Sequence, residues 1–252
     1  MVAFELAVQD TNGLAVAARL GVDRIELCSA LPLGGLTPSL AFIEAAVATP
    51  GMPPVHVLVR PRPGGFDYEP DEVALTVRDV RHAIEAGAAG VVVGGVRSGT
   101  VDTALMRRVI DAAGAEVTFH RAFDTVVDPL AAIDTLAELG VRRVLTSGGA
   151  AAAGDSLPQL ARLVKHAAGR IEIMAGGGVR PEVVVDLVRA GVAAVHASGK
   201  GFVADTVGVT LGSAALGGQS GRETTDEVEV GRLLAALRSV HDDRGRDGAF
   251  VG

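Results

Sequence analysis

The chain has no tryptophan, one tyrosine and one cysteine, and its lysines are only Lys165 and Lys200. Each scarcity excludes a class of function. With aromatics at 3% of 252 residues, a single-stranded nucleic acid finds few stacking platforms. A formal net charge of −7 gives no basic field to hold a duplex. The lone Cys28 excludes an intrachain disulfide, and the start Met1-Val2-Ala3-Phe4-Glu5 shows no basic segment leading into a long apolar run. Together these lead to the expectation of a reducing cytoplasm. No apolar run reaches the length of a membrane span. Lys165 falls in a helical stretch and Lys200 in a loop, so Schiff-base chemistry lacks a strand-borne amine.

What is present is aliphatic. Hydrophobic residues make up 48% of the chain, so the core must be built from Val, Leu, Ile and Ala, a composition suited to a parallel sheet buried on both faces. Glycine punctuates it regularly. Gly21, Gly87, Gly140 and Gly191 each follow a helical stretch and precede a short apolar run, as a left-handed helix cap does. Their intervals are about twice the roughly 30 residues that one strand-plus-helix unit needs. The missing units are there as well. Strand-like runs at 3–8, 24–28, 55–60, 91–94, 117–120, 143–147, 171–175 and 195–198 alternate with helical stretches. The helical stretches are 12–20, 38–48, 70–86, 101–113, 129–138, 156–168, 180–190 and 226–240. Thr37-Pro38 and Asp128-Pro129 each place a capping side chain before a proline at the first helical position. Eightfold alternation predicts an α/β fold, a (β/α)8 TIM barrel, as a single domain over 1–240. The alternative, an open doubly wound sheet, lacks its glycine fingerprint: Ala7-Val8-Gln9-Asp10 follows the first strand. Residues 199–222 read as a long loop and 241–252 as a solvated tail.

Several strands deliver polar groups to one end. Val117-Thr118-Phe119 runs into His120-Arg121-Ala122-Phe123-Asp124, Val57-Leu58-Val59 into Arg60-Pro61-Arg62, and Ala194-Val195 into His196. Alternation along strands puts Val55, Val57 and Val59 toward the helices and His56, Leu58 and Arg60 toward the axis. By the same count one interior layer holds Glu26, Val92, Leu145 and His196, below Cys28, Gly94, Ser147 and Ser198. The other holds Glu5, Leu58, Thr118 and Glu172, below Ala7, Arg60, His120 and Met174. Carboxylates inside a barrel need cations, and the expected partners of Glu5, Glu26 and Glu172 are Arg60, His120 and His196. A self-satisfied ion-pair network is the plain alternative for any one of them. The loops Gly176-Gly177-Gly178 and His196-Ala197-Ser198-Gly199, with Ser147 in the preceding loop, either bind an anion through backbone N–H groups or simply turn the chain. Cys28 is either a small buried hydrophobe or half of a soft-metal site.

With these residues laid out, the chain resembles the CutC family, named as copper homeostasis proteins with a TIM-barrel fold. The likeness covers about 3–240. It is carried by Arg24-Ile25-Glu26-Leu27-Cys28-Ser29, Gly34-Gly35-Leu36-Thr37-Pro38-Ser39, Arg60-Pro61-Arg62, the run from Thr118 to Asp124, Val144-Leu145-Thr146-Ser147-Gly148 and Met174-Ala175-Gly176-Gly177-Gly178. The resemblance implies a copper(I) site of two cysteines. One matches Cys28; the other would stand two residues after Glu5, where this chain has Ala7. The loop Gly64-Gly65-Phe66-Asp67 also departs from the Gly-Gly-Asp-Phe order of the family.

Three expectations follow. The resemblance implies a cytoplasmic copper-handling protein with Cys28 as ligand. The residues themselves suggest an enzyme acting on a small anionic or phosphorylated metabolite. In it His120 is the acid/base, Glu26, Glu5 and Asp124 assist, and Arg60, Arg62, Arg121, Ser147, Gly176, Gly177 and His196 bind substrate. A scaffold whose copies associate through helix faces, a homo-oligomer, is the third.

Overall fold

Short strands with apolar residues on both faces alternate with amphipathic helices that cover them. In the structure, a computed structural model, residues 2–204 and 221–247 are described. In chain order the first half runs β1 (Ala3–Val8), α1 (Thr11–Leu20), β2 (Arg24–Leu27), α2 (Leu40–Ala48), β3 (Val55–Leu58), α3 (Pro70–Glu85), β4 (Gly90–Val93), β5 (Val96–Arg97), β6 (Thr100–Val101) and α4 (Thr103–Ala113). The second runs β7 (Glu116–Phe119), α5 (Pro129–Glu138), β8 (Arg143–Thr146), α6 (Leu157–Ala167), β9 (Glu172–Gly176), α7 (Pro181–Arg189), β10 (Ala194–Ala197), β11 (Lys200–Ala204), β12 (Gly221–Thr225) and α8 (Glu227–Asp247). Strands β1, β2, β3, β4, β7, β8, β9 and β10 close into a parallel barrel, which is the TIM-barrel expectation. Gly21, Gly87, Gly140 and Gly191 all have positive φ, at 63°, 98°, 82° and 88°, the left-handed geometry their positions required.

Local chemistry sets the helices. Asp128 accepts from the N–H groups of Leu130 and Ala131, and Pro129 occupies the first helical position of α5. Asp102 caps α4 at Leu105 N, and Leu105, Met106, Val109 and Ala113 line its buried face at helical spacing. Each buried Leu or Val contributes roughly 1.5–3 kcal/mol.

Alternation sorts the strands. Phe4, Leu6, Val8, Ile25, Leu27, Val55, Val57, Val91, Val93, Val117, Phe119, Val144, Ile173 and Val195 lie in the core between barrel and helices. Their neighbours of opposite parity face the axis. There Cys28, Leu58 and Val92 form one apolar cluster, and Leu145, Met174 and Ala194 another.

Four expectations need correction. Pro38 lies outside α2, which starts at Leu40 behind the cap Ser39. The Thr37 hydroxyl instead accepts from Arg60 N at 3.0 Å and donates to Arg60 O, tying the loop to the end of β3. Residues 96–101 form the small hairpin β5–β6 before α4. Within the span expected to be a loop, β11 and β12 pair antiparallel; its residues 205–220 lie outside the described residues. Helix α8 continues to Asp247, past the point where a tail was expected, and 248–252 lie outside the described residues.

Candidate functional site

The inward parity of β1, β2 and β10 brings three titratable groups together. Glu5 is fully buried and pairs in register with Arg24 of β2 and His196 of β10. Its Oε2 accepts from Arg24 Nε, and its Oε1 lies 2.8 Å from His196 Nδ1. Burial alone would raise the Glu5 carboxyl. His196 and Arg24 outweigh it and bring the value down to about 2, so Glu5 is a carboxylate. It fixes the His196 proton on Nδ1 and turns Nε2 toward Glu26, whose Oε2 is 3.6 Å away.

Glu26 is the contrasting acid. Burial, aided by repulsion from Glu5, pushes its carboxyl up to about 7 against the pull of His196 and Arg24. His196 moves upward too: burial opposes the shift, and the charges of Glu26 and Glu5 drive it. Glu5 and Arg24 form one ion pair, and Glu26 and His196 face each other as a coupled acid–base pair whose protons belong to the pair and not to either residue alone. The side chains of Glu26 and His196 retain 6% and 13% exposure, so the pair is not fully sealed from solvent.

Arg24 and Arg143 were missed as partners. Arg24 shares the parity of Glu26 and Cys28, and Arg143 that of Leu145 and Ser147, so alternation could have placed both inside. Arg143 meets Glu172 at 3.0 Å, Glu116 at 3.3 Å and Thr118 Oγ1 at 3.1 Å. Glu172 therefore belongs to this more exposed cluster at the start of the strands, where Arg142 also reaches it, and not to the layer of Glu5.

Arg60 and His120 meet no glutamate. Arg60, 6% exposed, donates to the carbonyls of Leu33, Gly35 and Gly64 at 3.0, 3.0 and 2.8 Å. His120, 5% exposed, accepts on Nδ1 from Ala122 N–H at 3.1 Å. Burial, then the charge of Arg60, drives its imidazole down to about 3. His120 is thus neutral at ordinary pH, and with Nδ1 accepting, its proton sits on Nε2 as a hydrogen-bond donor. Gly94 makes room for it, since a Cβ there would lie 2.5 Å from Nδ1. Phe66 lies beside both, its ring 5.1 Å from the imidazole centroid and 5.2 Å from the Arg60 guanidinium carbon.

The remaining residues anchor loops. Asp124 accepts from Arg121 Nε at 2.8 Å, from the Thr146 hydroxyl, and from the N–H groups of Ser147 and Gly149 at 3.2 Å. These bonds make it an anchor of the loops after β7 and β8. Arg121, also bonded to Ser147 Oγ at 2.9 Å, lies against the glycine loop after β9; a Cβ on Gly177 would stand 2.9 Å from its Nη1. Gly176 plays a like part beside His196 and Leu145, where an added Cβ would stand 3.1 and 3.2 Å from Cβ and Cδ2 of His196 and 2.4 Å from Leu145 Cδ1. Arg62 pairs with Glu72 and the carbonyls of Gly65 and Asp67, away from the barrel axis.

Cys28 is fully buried against Leu58 and Val92, its Sγ 3.5 Å from Val8 O. Burial and then Glu26 raise its thiol well above the ordinary value. The other inward sulfur, Met174 Sδ, accepts from Arg24 at 3.4 Å. A protonated thiol, an alanine at position 7 and an occupied thioether do not fit a copper(I) site. No group of three or more His, Cys, Asp or Glu among the described residues is placed to hold a metal ion. None of the helices among them is long and apolar enough to cross a membrane.

Known proteins agree with the architecture. The CutC family model matches residues 2–201. A CutC family protein of Glaesserella parasuis serovar 5 is 37% identical over 239 residues, 94% of this chain and 98% of that protein. One from Agrobacterium fabrum is 42% identical over 242 residues, 94% of each. Among solved structures, CutC of Streptococcus agalactiae, named for copper homeostasis, superposes with a TM-score of 0.74 at 31% identity, covering 79% of this chain and 99% of that one. The 3-hexulose-6-phosphate synthase of Salmonella typhimurium, at 18% identity and a TM-score of 0.59, shares the fold alone. The chain belongs to the CutC family.

Proposed function

We propose that this CutC family barrel is a cytoplasmic enzyme that moves a proton on a small anionic metabolite at its mouth, with Glu26 as acid/base and His196 as its proton-sharing partner. The observation that carries this is the Glu5–His196–Glu26 alignment. An ionised carboxylate orients an imidazole, and the imidazole faces a carboxyl poised near pH 7, where an acid/base works best. In the step itself Glu26 carboxylate takes a carbon-bound proton. The C–H electron pair moves toward an adjacent carbonyl oxygen, and the reverse step returns the proton.

The name of the Streptococcus relative brings copper homeostasis to this chain as a physiological role. Copper(I) as cargo at Cys28 is disfavoured by the buried thiol and by Ala7. We place any contribution to copper homeostasis in the proton-transfer chemistry instead. Incubating the protein in D2O with a panel of small carboxylated and phosphorylated carbonyl compounds, followed by proton NMR, tests the proposal. Deuterium should enter one class of compound and its incorporation should fall at least about a hundredfold in Glu26→Gln. Incorporation equal in wild type and Glu26→Gln, or absent with every compound, would remove Glu26 from this role.

A further inference from the structure

We propose that the Phe66 ring fills a slot for a planar oxyanion, a carboxylate or the enolate form of a carbonyl compound, whose oxygens would take the buried N–H donors of Arg60 and His120.

Arg60 supplies the charge argument. Its guanidinium is buried, its terminal nitrogens donate to three backbone carbonyls, and no carboxylate among the described residues lies within ion-pair distance. A buried cation without a counter-ion is costly, and its vacant partner is an anion. Its Nε finds no hydrogen-bond partner among the described residues, and neither does Nε2 of His120. A protein seldom leaves a buried donor unpaired, and two of them beside one ring point to a missing acceptor.

Phe66 links them, with its ring beside the guanidinium and the imidazole at 5.2 and 5.1 Å. Moving it aside vacates a flat space bounded by both donors, which suits a planar group better than a tetrahedral one. The Tyr68 hydroxyl of the same loop makes no well-formed hydrogen bond, and it lies close enough to Arg60 for the guanidinium to favour its ionised form against burial. That loop is pinned on both sides of the ring. Gly64 O accepts from Arg60, Gly65 O from Arg62 and Phe66 O from Val96 N–H at 2.9 Å. The slot therefore opens by a change of the Phe66 rotamer, with the backbone kept in place.

The inference gives the proposed proton transfer a holder for the developing oxygen charge, and in that sense rests on it. Its test is separate, because oxalate is planar, anionic and has no carbon-bound hydrogen. Oxalate binding reads the slot whether or not Glu26 moves a proton, and deuterium incorporation reads Glu26. The full chain, wild type and Phe66→Ala, is titrated by calorimetry with oxalate and with inorganic phosphate. Removing the ring should tighten oxalate about tenfold, and adding His120→Phe should reverse the gain. In wild-type protein labelled with nitrogen-15, oxalate should move the His120 Nε2–H proton downfield. This reading does not need the variants to fold. Absence of oxalate binding in a folded Phe66→Ala protein, equal or tighter binding of phosphate, or an unmoved Nε2–H signal at saturating oxalate would each overturn the slot.

Discussion

Glu26 and His120 are buried groups of opposite tendency, and each leaves a distinct trace in stability. A carboxyl raised in the fold stabilises while it stays protonated. The Glu26 contribution is full below its ordinary 4.5, fades as pH climbs and is gone above about 7. Glu26→Gln stays neutral throughout, so it should gain on wild type between pH 4.5 and about 7 by up to about 1.4 kcal/mol per unit, read from urea midpoints. His120 behaves in the reverse sense. Its imidazole is held down to about 3 from 6.5, so stability is lost as pH falls through that window, while unfolded chains take up the proton. His120→Phe should flatten this acid limb, and an unchanged limb would assign it to other groups. Cys28, protonated and enclosed, should resist a thiol reagent in native buffer and react once urea unfolds the chain. Rapid native labelling would contradict its burial.

Elements were legible wherever a periodic pattern met an explicit stop signal. Asp128-Pro129 and the glycines at 21, 87, 140 and 191 marked helix ends that the structure keeps. Thr37-Pro38 misled because Thr37 serves the tertiary bond to Arg60, and Ser39 caps α2. Asp128→Ala should cost about 1 kcal/mol by denaturant unfolding, with the barrel retained. Inside the strands, parity separated Val57 from Leu58, yet the arginines at strand starts, Arg24 and Arg143, were left out of the interior layers. The two are not equivalent. Glu5 is fully buried beside Arg24, whereas the Glu116 and Glu172 side chains partnering Arg143 keep 47% and 29% exposure. Arg24→Met should therefore cost about 3–5 kcal/mol by stranding a buried carboxylate. Arg143→Met should cost clearly less, since water can reach its former partners. Equal losses in the two variants would mean that burial of Glu5 is not what makes Arg24 matter.

Across the molecule, eight alternating units made the barrel readable, because a parallel strand buried on both faces has few other places to go. The candidate site was half legible. Strand ends named Glu5, Glu26, Arg60, His120 and His196. Which of them touch depended on strand register, which no local pattern reveals. Register places Glu5 opposite both Arg24 and His196, and sends Arg60 and His120 to Phe66 instead. Copper(I) titration under anaerobic conditions should give the same weak response for wild type and Cys28→Ser; strong binding lost only in the variant would restore the thiolate site. The central claim is that Glu26 and His196 titrate as a coupled pair near neutral pH. Carbon-13 NMR of the side-chain carboxyl of Glu26, titrated from pH 3 to 9, tests it most directly. The account predicts a midpoint close to 7 that moves down only in part when Glu5 is replaced by Gln, because burial, the larger cause, stays while the repulsion from Glu5 goes. A wild-type midpoint at the ordinary carboxylate value would contradict it.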